Sequence, residues 1–203
     1  MMIMVIYALI TIAIFGMWYY ARYEGNFLPS PKKTFNPMMI VAIVILVPGT
    51  QFAANFIANL TGYIRPDWLQ QYNELFETSG ITDTTFVTVL YSVILAPICE
   101  ELIFRGVTMR CARKALPFAL ANLMQAALFG LFHLNWIQGI YAFALGIVLG
   151  YVCERGGSIY YSMGLHLLFN LWGTLSGFFP DPGNSVVVFV VVIVVTIVSL
   201  VAG

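Results

Sequence analysis

The feature that most limits what this chain can become is a series of long apolar stretches recurring through almost the whole sequence. A bilayer core about 30 Å thick takes roughly 20 mostly apolar residues per helix. Stretches of that kind run over Met2–Tyr20, Met38–Leu60, Phe86–Met109, Pro117–Leu134, Trp136–Cys153, Ser158–Phe179 and Val186–Ala202. Inside lipid a backbone must satisfy its own polar groups, and helices of this length do so. The expected fold is therefore an all-α polytopic transmembrane bundle of about seven spans, each near the length a bilayer needs. It reads as a single membrane domain over 1–203, with a motif-bearing core at about 86–179. Composition agrees: 9% of the residues are charged, against roughly 25% in an average soluble domain. Water is excluded as the solvent for most of this surface.

The loops give an orientation. Arg22, Lys32, Lys33, Arg110, Arg113, Lys114 and Arg155 fall on one side of the alternating spans and Arg65 alone on the other. Basic loops stay cytoplasmic, which predicts an outer N-terminus and a cytoplasmic C-terminus. The first stretch has no basic residue before it and no small-residue cleavage pattern after it, so it reads as a retained span. Short loops and small size fit a prokaryotic cell membrane. Between Arg65 and Thr84, Trp68, Leu69, Tyr72, Leu75 and Phe76 recur at helical spacing. That segment is either an amphipathic helix on the outer interface or a solvated loop with aromatic anchors. Cys99, Cys111 and Cys153 show no CxxC spacing and are odd in number, so no disulfide framework is expected. A net charge of zero offers nucleic acid no long-range attraction. The lipid bilayer is an expected partner.

Ionisable side chains at membrane depth cost several kcal/mol on insertion scales and are functional candidates by default. Here they are concentrated. The third stretch holds Glu100, Glu101 and Arg105; the fourth ends with Phe129 and His133; the sixth holds His166 and Asn170. His133 and His166 are the protein's two histidines. On a helix Glu101 and Arg105 are i and i+4 and can pair. Glu100 points elsewhere, has no such partner, and is the better candidate for a general base. His166 and Asn170 are again i and i+4, so an imidazole and a carboxamide project side by side as a plausible oxyanion site. A Glu–Arg pair can equally just hold helices together, and a lone buried histidine often only packs. The joint occurrence of two glutamates and two histidines turns the reading toward chemistry. Phe129 reads as packing, as does the GxxxG of Gly146 and Gly150.

The ordered string Glu100-Glu101-x-x-x-Arg105, Phe129-x-x-x-His133, His166-x-x-x-Asn170 resembles the three motifs of the CPBP family. That family groups CAAX prenyl endopeptidases with bacteriocin-processing and Abi-type membrane proteins. The likeness covers roughly Phe86 to Phe179. It implies an intramembrane glutamate protease in which Glu100 and His133 activate a water and His166 and Asn170 stabilise the oxyanion. Glu101 and Arg105 would hold the glutamate-bearing helix. No cofactor is implied, and the partner implied is a peptide or protein substrate within or at the membrane. A zinc-dependent version with Glu100, His133 and His166 as ligands is the alternative, without an HExxH to support it. A non-enzymatic scaffold or immunity protein is the other. Two geometric expectations follow. His133 falls near the outer end of its stretch, about 10 Å from the depth of the others at 1.5 Å per residue, which requires strong tilt or a fourth stretch that starts deep. The basic loop after Arg105 predicts a cavity open toward the cytoplasm.

Overall fold

The computed structural model describes residues 2–21, 36–79, 85–176 and 194, and over these it contains helices and no strand. In chain order the helices are α1 (Met2–Tyr19), α2 (Pro37–Ile64), α3 (Pro66–Ser79), α4 (Phe86–Ala112), α5 (Phe118–Phe132), α6 (Trp136–Gly156) and α7 (Ile159–Ser176). Among the described residues α1, α2, α4 and α6 are long and apolar enough to cross a membrane. The protein is thus an all-α integral membrane bundle. The stretch at Val186–Ala202 and the residues Arg22, Lys32 and Lys33 lie outside the described residues.

Local sequence explains where the helices start and stop. Asn36 caps α2 by accepting from the Met38 N–H at 3.0 Å, with Pro37 at the first helical position, where its missing N–H costs nothing. α2 stops at Arg65 because Pro66 disfavours a helical conformation in the residue before it. Thr85 caps α4 and Asn135 caps α6, each accepting an N–H of its helix's first turn. α6 ends on Gly157, whose φ of 69° is the left-handed cap that glycine adopts without strain.

The Arg65–Thr84 segment resolves in favour of the helix: α3 is a separate amphipathic element, with Trp68, Tyr72 and Phe76 half-buried. Trp68 stacks on Trp136 at 5.4 Å, and the Arg65 guanidinium lies 4.2 Å over the Trp68 ring. This marks one end of the bundle, the α3 end, where α2 finishes and α4 and α6 begin. The opposite, basic end holds Arg113, which pairs with Glu154 at 3.0 Å. There the Tyr161 hydroxyl accepts from the Asn36 N–H at 2.7 Å.

The core lies between α2, α4, α5, α6 and α7, with Phe104, Phe129, Leu145, Leu149 and Leu165 at its centre. Large apolar side chains such as Ile3, Met17, Val44 and Phe56 point outward, as a lipid solvent permits. α6 turns Gly146 and Gly150 toward α5. A side chain at Gly146 would press on Ala126 and Phe129, and one at Gly150 would collide with the Asn122 carboxamide. The GxxxG therefore serves packing within the chain, as its small residues imply.

Candidate active site

Glu100 and Glu101 sit midway along α4, in a short α-helical piece, Ala96–Glu101, between two π-helical turns, Leu90–Leu95 and Leu102–Met109. Such turns widen a helix locally and recur at functional sites. Pro97 accounts for part of this. In the first π turn the Ala96 N–H bonds to Tyr91 O, five residues back. The next donor in that register would be residue 97, a proline without an N–H. The Ser92 carbonyl is left for another donor, and Asn170 Nδ2 of α7 supplies it at 2.8 Å.

Behind Glu100 the polar groups form a sealed chain. Arg105 Nη1 donates to Glu101 Oε1 at 2.8 Å, with both side chains at 0% exposure. His166 Nδ1 approaches the same oxygen at 2.9 Å. A carboxylate oxygen only accepts, so the proton sits on Nδ1. The other ring nitrogen, Nε2, faces Glu100 Oε2 at 3.6 Å, a distance for charge attraction rather than a hydrogen bond. On its far side Arg105 donates from Nη2 to the Gly146 carbonyl at 3.2 Å. Gln125 Nε2 donates to that carbonyl at 2.8 Å and to Asn122 Oδ1 at 2.7 Å. The Arg105 guanidinium also lies 4.5 Å over the Phe129 ring. Burying a charge without such partners would cost several kcal/mol.

Phe129 joins the remaining histidine to this cluster. Its ring meets His166 edge-on at 5.7 Å and His133 edge-on at 5.0 Å, and its carbonyl takes the His133 Nδ1 proton at 2.8 Å. In a neutral ring that leaves His133 Nε2 as the free acceptor. α5 is short, with 15 residues against 28 in α2. At 1.5 Å per residue it is only about 22 Å long, and it ends at His133. The chain turns there through Leu134, which holds a left-handed φ of 53°.

The structure therefore brings Glu100, Glu101, Arg105 and His166 into one contact network. His133 is linked through Phe129, and Asn170 sits one turn beyond His166 on the Ser92 carbonyl. The members with partial exposure are Glu100, at 15% of its side chain, with His133, Asn170 and Ser92. The last three lie toward the α3 end, whereas Arg105, Met109 and Leu165 close the basic side. At the basic end a cavity between α2 and α6, lined by Met39, Ile43, Leu46, Tyr151 and Arg155, includes none of the network's side chains.

Residues 82–172 match the family model described as Type II CAAX prenyl endopeptidase Rce1-like. The matched segment is similar to an Rce1-like domain. It spans all three motifs and the whole network just described, and it supports, in general terms, a CAAX-type intramembrane endopeptidase. No curated protein and no solved structure matches the chain.

Reasoning from ionisable residues alone passes over the carboxamides inside the matched segment and beside it. Asn122 and Gln125 are buried against the Gly146 and Ile147 carbonyls. Gln51, Asn55 and Asn59 lie on α2, outside the matched segment. Their signal in the sequence is their position within otherwise apolar stretches. Among the described residues no three His, Cys, Asp or Glu side chains converge as a metal-ligand set.

Proposed function

We propose that this Rce1-like protein cleaves a peptide bond in a membrane-embedded, lipid-modified or leader peptide, with Glu100 as general base. The observation that carries the reading is the asymmetry of the paired glutamates. Glu101 is fully buried, with Arg105 and His166 both on its Oε1, while Glu100 is the carboxylate that keeps partial exposure. The two carboxylates, one guanidinium and one imidazole reach neutrality with a single proton held between Glu100 and His166. The base role requires Glu100 ionised, with that proton on His166 Nε2. Glu100, with His133 Nε2, takes a proton from water as its oxygen attacks the scissile carbonyl carbon, and then returns it to the leaving amine. His166 Nε2 and the second N–H of Asn170 Nδ2 stabilise the oxyanion in a site where water is scarce and fixed donors count most.

In the proposed orientation, N-terminus outside and C-terminus cytoplasmic in a prokaryotic cell membrane, the α3 end faces outward. That favours a leader or signal peptide presented from the outer face as the substrate. The zinc version needs Glu100, His133 and His166 to move together into one coordination sphere. The test is cleavage of a pool of membrane and leader peptides by the detergent-purified protein, its Glu100→Gln and its His133→Ala variants, with and without chelator. Cleavage that survives chelator and disappears in both variants is the expected result. Loss with chelator, restored by zinc, would replace this mechanism with the metal-dependent one, and full activity of Glu100→Gln would end it.

A further inference from the structure

α2 carries three carboxamides, Gln51, Asn55 and Asn59, at i, i+4 and i+8. That spacing sets them along one inclined row. The row starts midway along the helix, level with the middle of the bundle, and climbs toward the α3 end. Gln51 Nε2 donates to Asn55 Oδ1 at 3.3 Å and Asn59 Nδ2 to the Asn55 carbonyl at 2.8 Å. Gln51 is 7% exposed, and its Oε1 is buried without a hydrogen-bond partner among the described residues. Its carboxamide lies beside Gly173 of α7, within 3.9 Å of where a side chain there would begin. Gly173 shares the α7 face of His166 and Asn170.

Carboxamides on a membrane helix often serve as glue between helices. That role leaves the Gln51 Oε1 without a partner and does not fit Asn55 and Asn59, whose side chains are exposed. An exposed polar side chain at membrane depth belongs on a surface that meets water or a polar ligand. A carboxamide both donates and accepts, the pairing that the amides of an extended peptide require. We infer that Gln51, Asn55 and Asn59 line a hydrated approach from the α3 end to Glu100, along which they hold the backbone of an extended peptide segment. The inference rests on the protease reading for its ligand but not for its hydration.

The test has two arms. In a full-length cysteine-free background, single cysteines at 55 and 59 are reacted with a membrane-impermeant thiol reagent in sealed vesicles. Cysteines at the outward-facing Val44 and Phe56 serve as controls. Labelling at least tenfold faster at 55 and 59 than at the controls is expected, and equal rates would overturn the hydrated approach whether or not any peptide is cleaved. In the cleavage assay, Asn55→Leu should raise KM severalfold with kcat and melting temperature unchanged, and Asn55→Gln should restore KM. Fast labelling with an unchanged KM would overturn the peptide-holding role alone. If wild type cleaves nothing while 55 and 59 label fast, the protease reading fails with the peptide role and the hydrated approach stands.

Discussion

The two glutamates of α4 are neighbours in sequence and opposites in setting. Glu101 is closed off on every side, with a guanidinium and an imidazole on one oxygen and no exposure. Glu100 has the Nε2 of the same imidazole 3.6 Å away and keeps partial exposure. In the proposed mechanism the first carboxylate only holds structure and the second exchanges a proton with the bound molecule, beside the one histidine that lies near both.

The sharpest way to break this contrast is to remove the cation that the sealed half needs. Arg105→Met leaves Glu101 buried and uncompensated, a change that costs about 3–5 kcal/mol. Thermal unfolding in detergent should show the loss, and cleavage should fall only as the folded fraction falls. Glu100→Gln should do the reverse. Losing a general base lowers a rate by about 10²–10⁴-fold, while the melting curve should barely move because glutamine conserves the side chain's volume. Gln125→Leu should sit between, removing one bond to the carbonyl that also receives Arg105. Interhelical bonds of this kind contribute about 0.6–1.7 kcal/mol, and the melting shift should be correspondingly modest.

Much of this was legible in the sequence. The helix boundaries follow from apolar length and from the caps Asn36, Thr85 and Asn135, and the Glu101–Arg105 pair follows from i, i+4 spacing. The depth of His133 was not, because nothing in a run of apolar residues announces that α5 ends after 15 of them. The link between His166 and both glutamates was equally hidden, since it joins residues 65 positions apart. The polar ladder of Asn122 and Gln125 needs the tertiary neighbour Gly146 to give it a purpose. The π turns around Glu100 are foreshadowed only by Pro97, whose missing N–H has to be accommodated somewhere.

Smaller effects sharpen the picture at the edges of the site. Leu134 is 93% exposed and holds a left-handed conformation, which costs a residue with a β-carbon about 1–2 kcal/mol. Leu134→Gly should raise the melting temperature slightly, and a drop in cleavage with it would show that the strained turn aims His133. The smallest effect is expected at α3. The Arg65 hydrogen bond holds the Asp67 carboxyl below its ordinary range. A depressed carboxylate contributes stability above its unfolded value and loses it as pH falls through the folded one. Both partners are exposed, so acidification should do no more than loosen the start of α3, visible as faster hydrogen exchange around Trp68.

The most direct test measures melting temperature and cleavage rate side by side for Glu100→Gln and Glu101→Gln. The account predicts that Glu100→Gln abolishes cleavage at an unchanged melting temperature, whereas Glu101→Gln lowers the melting temperature by leaving Arg105 buried and unpaired. Two variants that behave alike, or a Glu100→Gln protein that unfolds while Glu101→Gln stays intact, would contradict the division of labour between the paired glutamates.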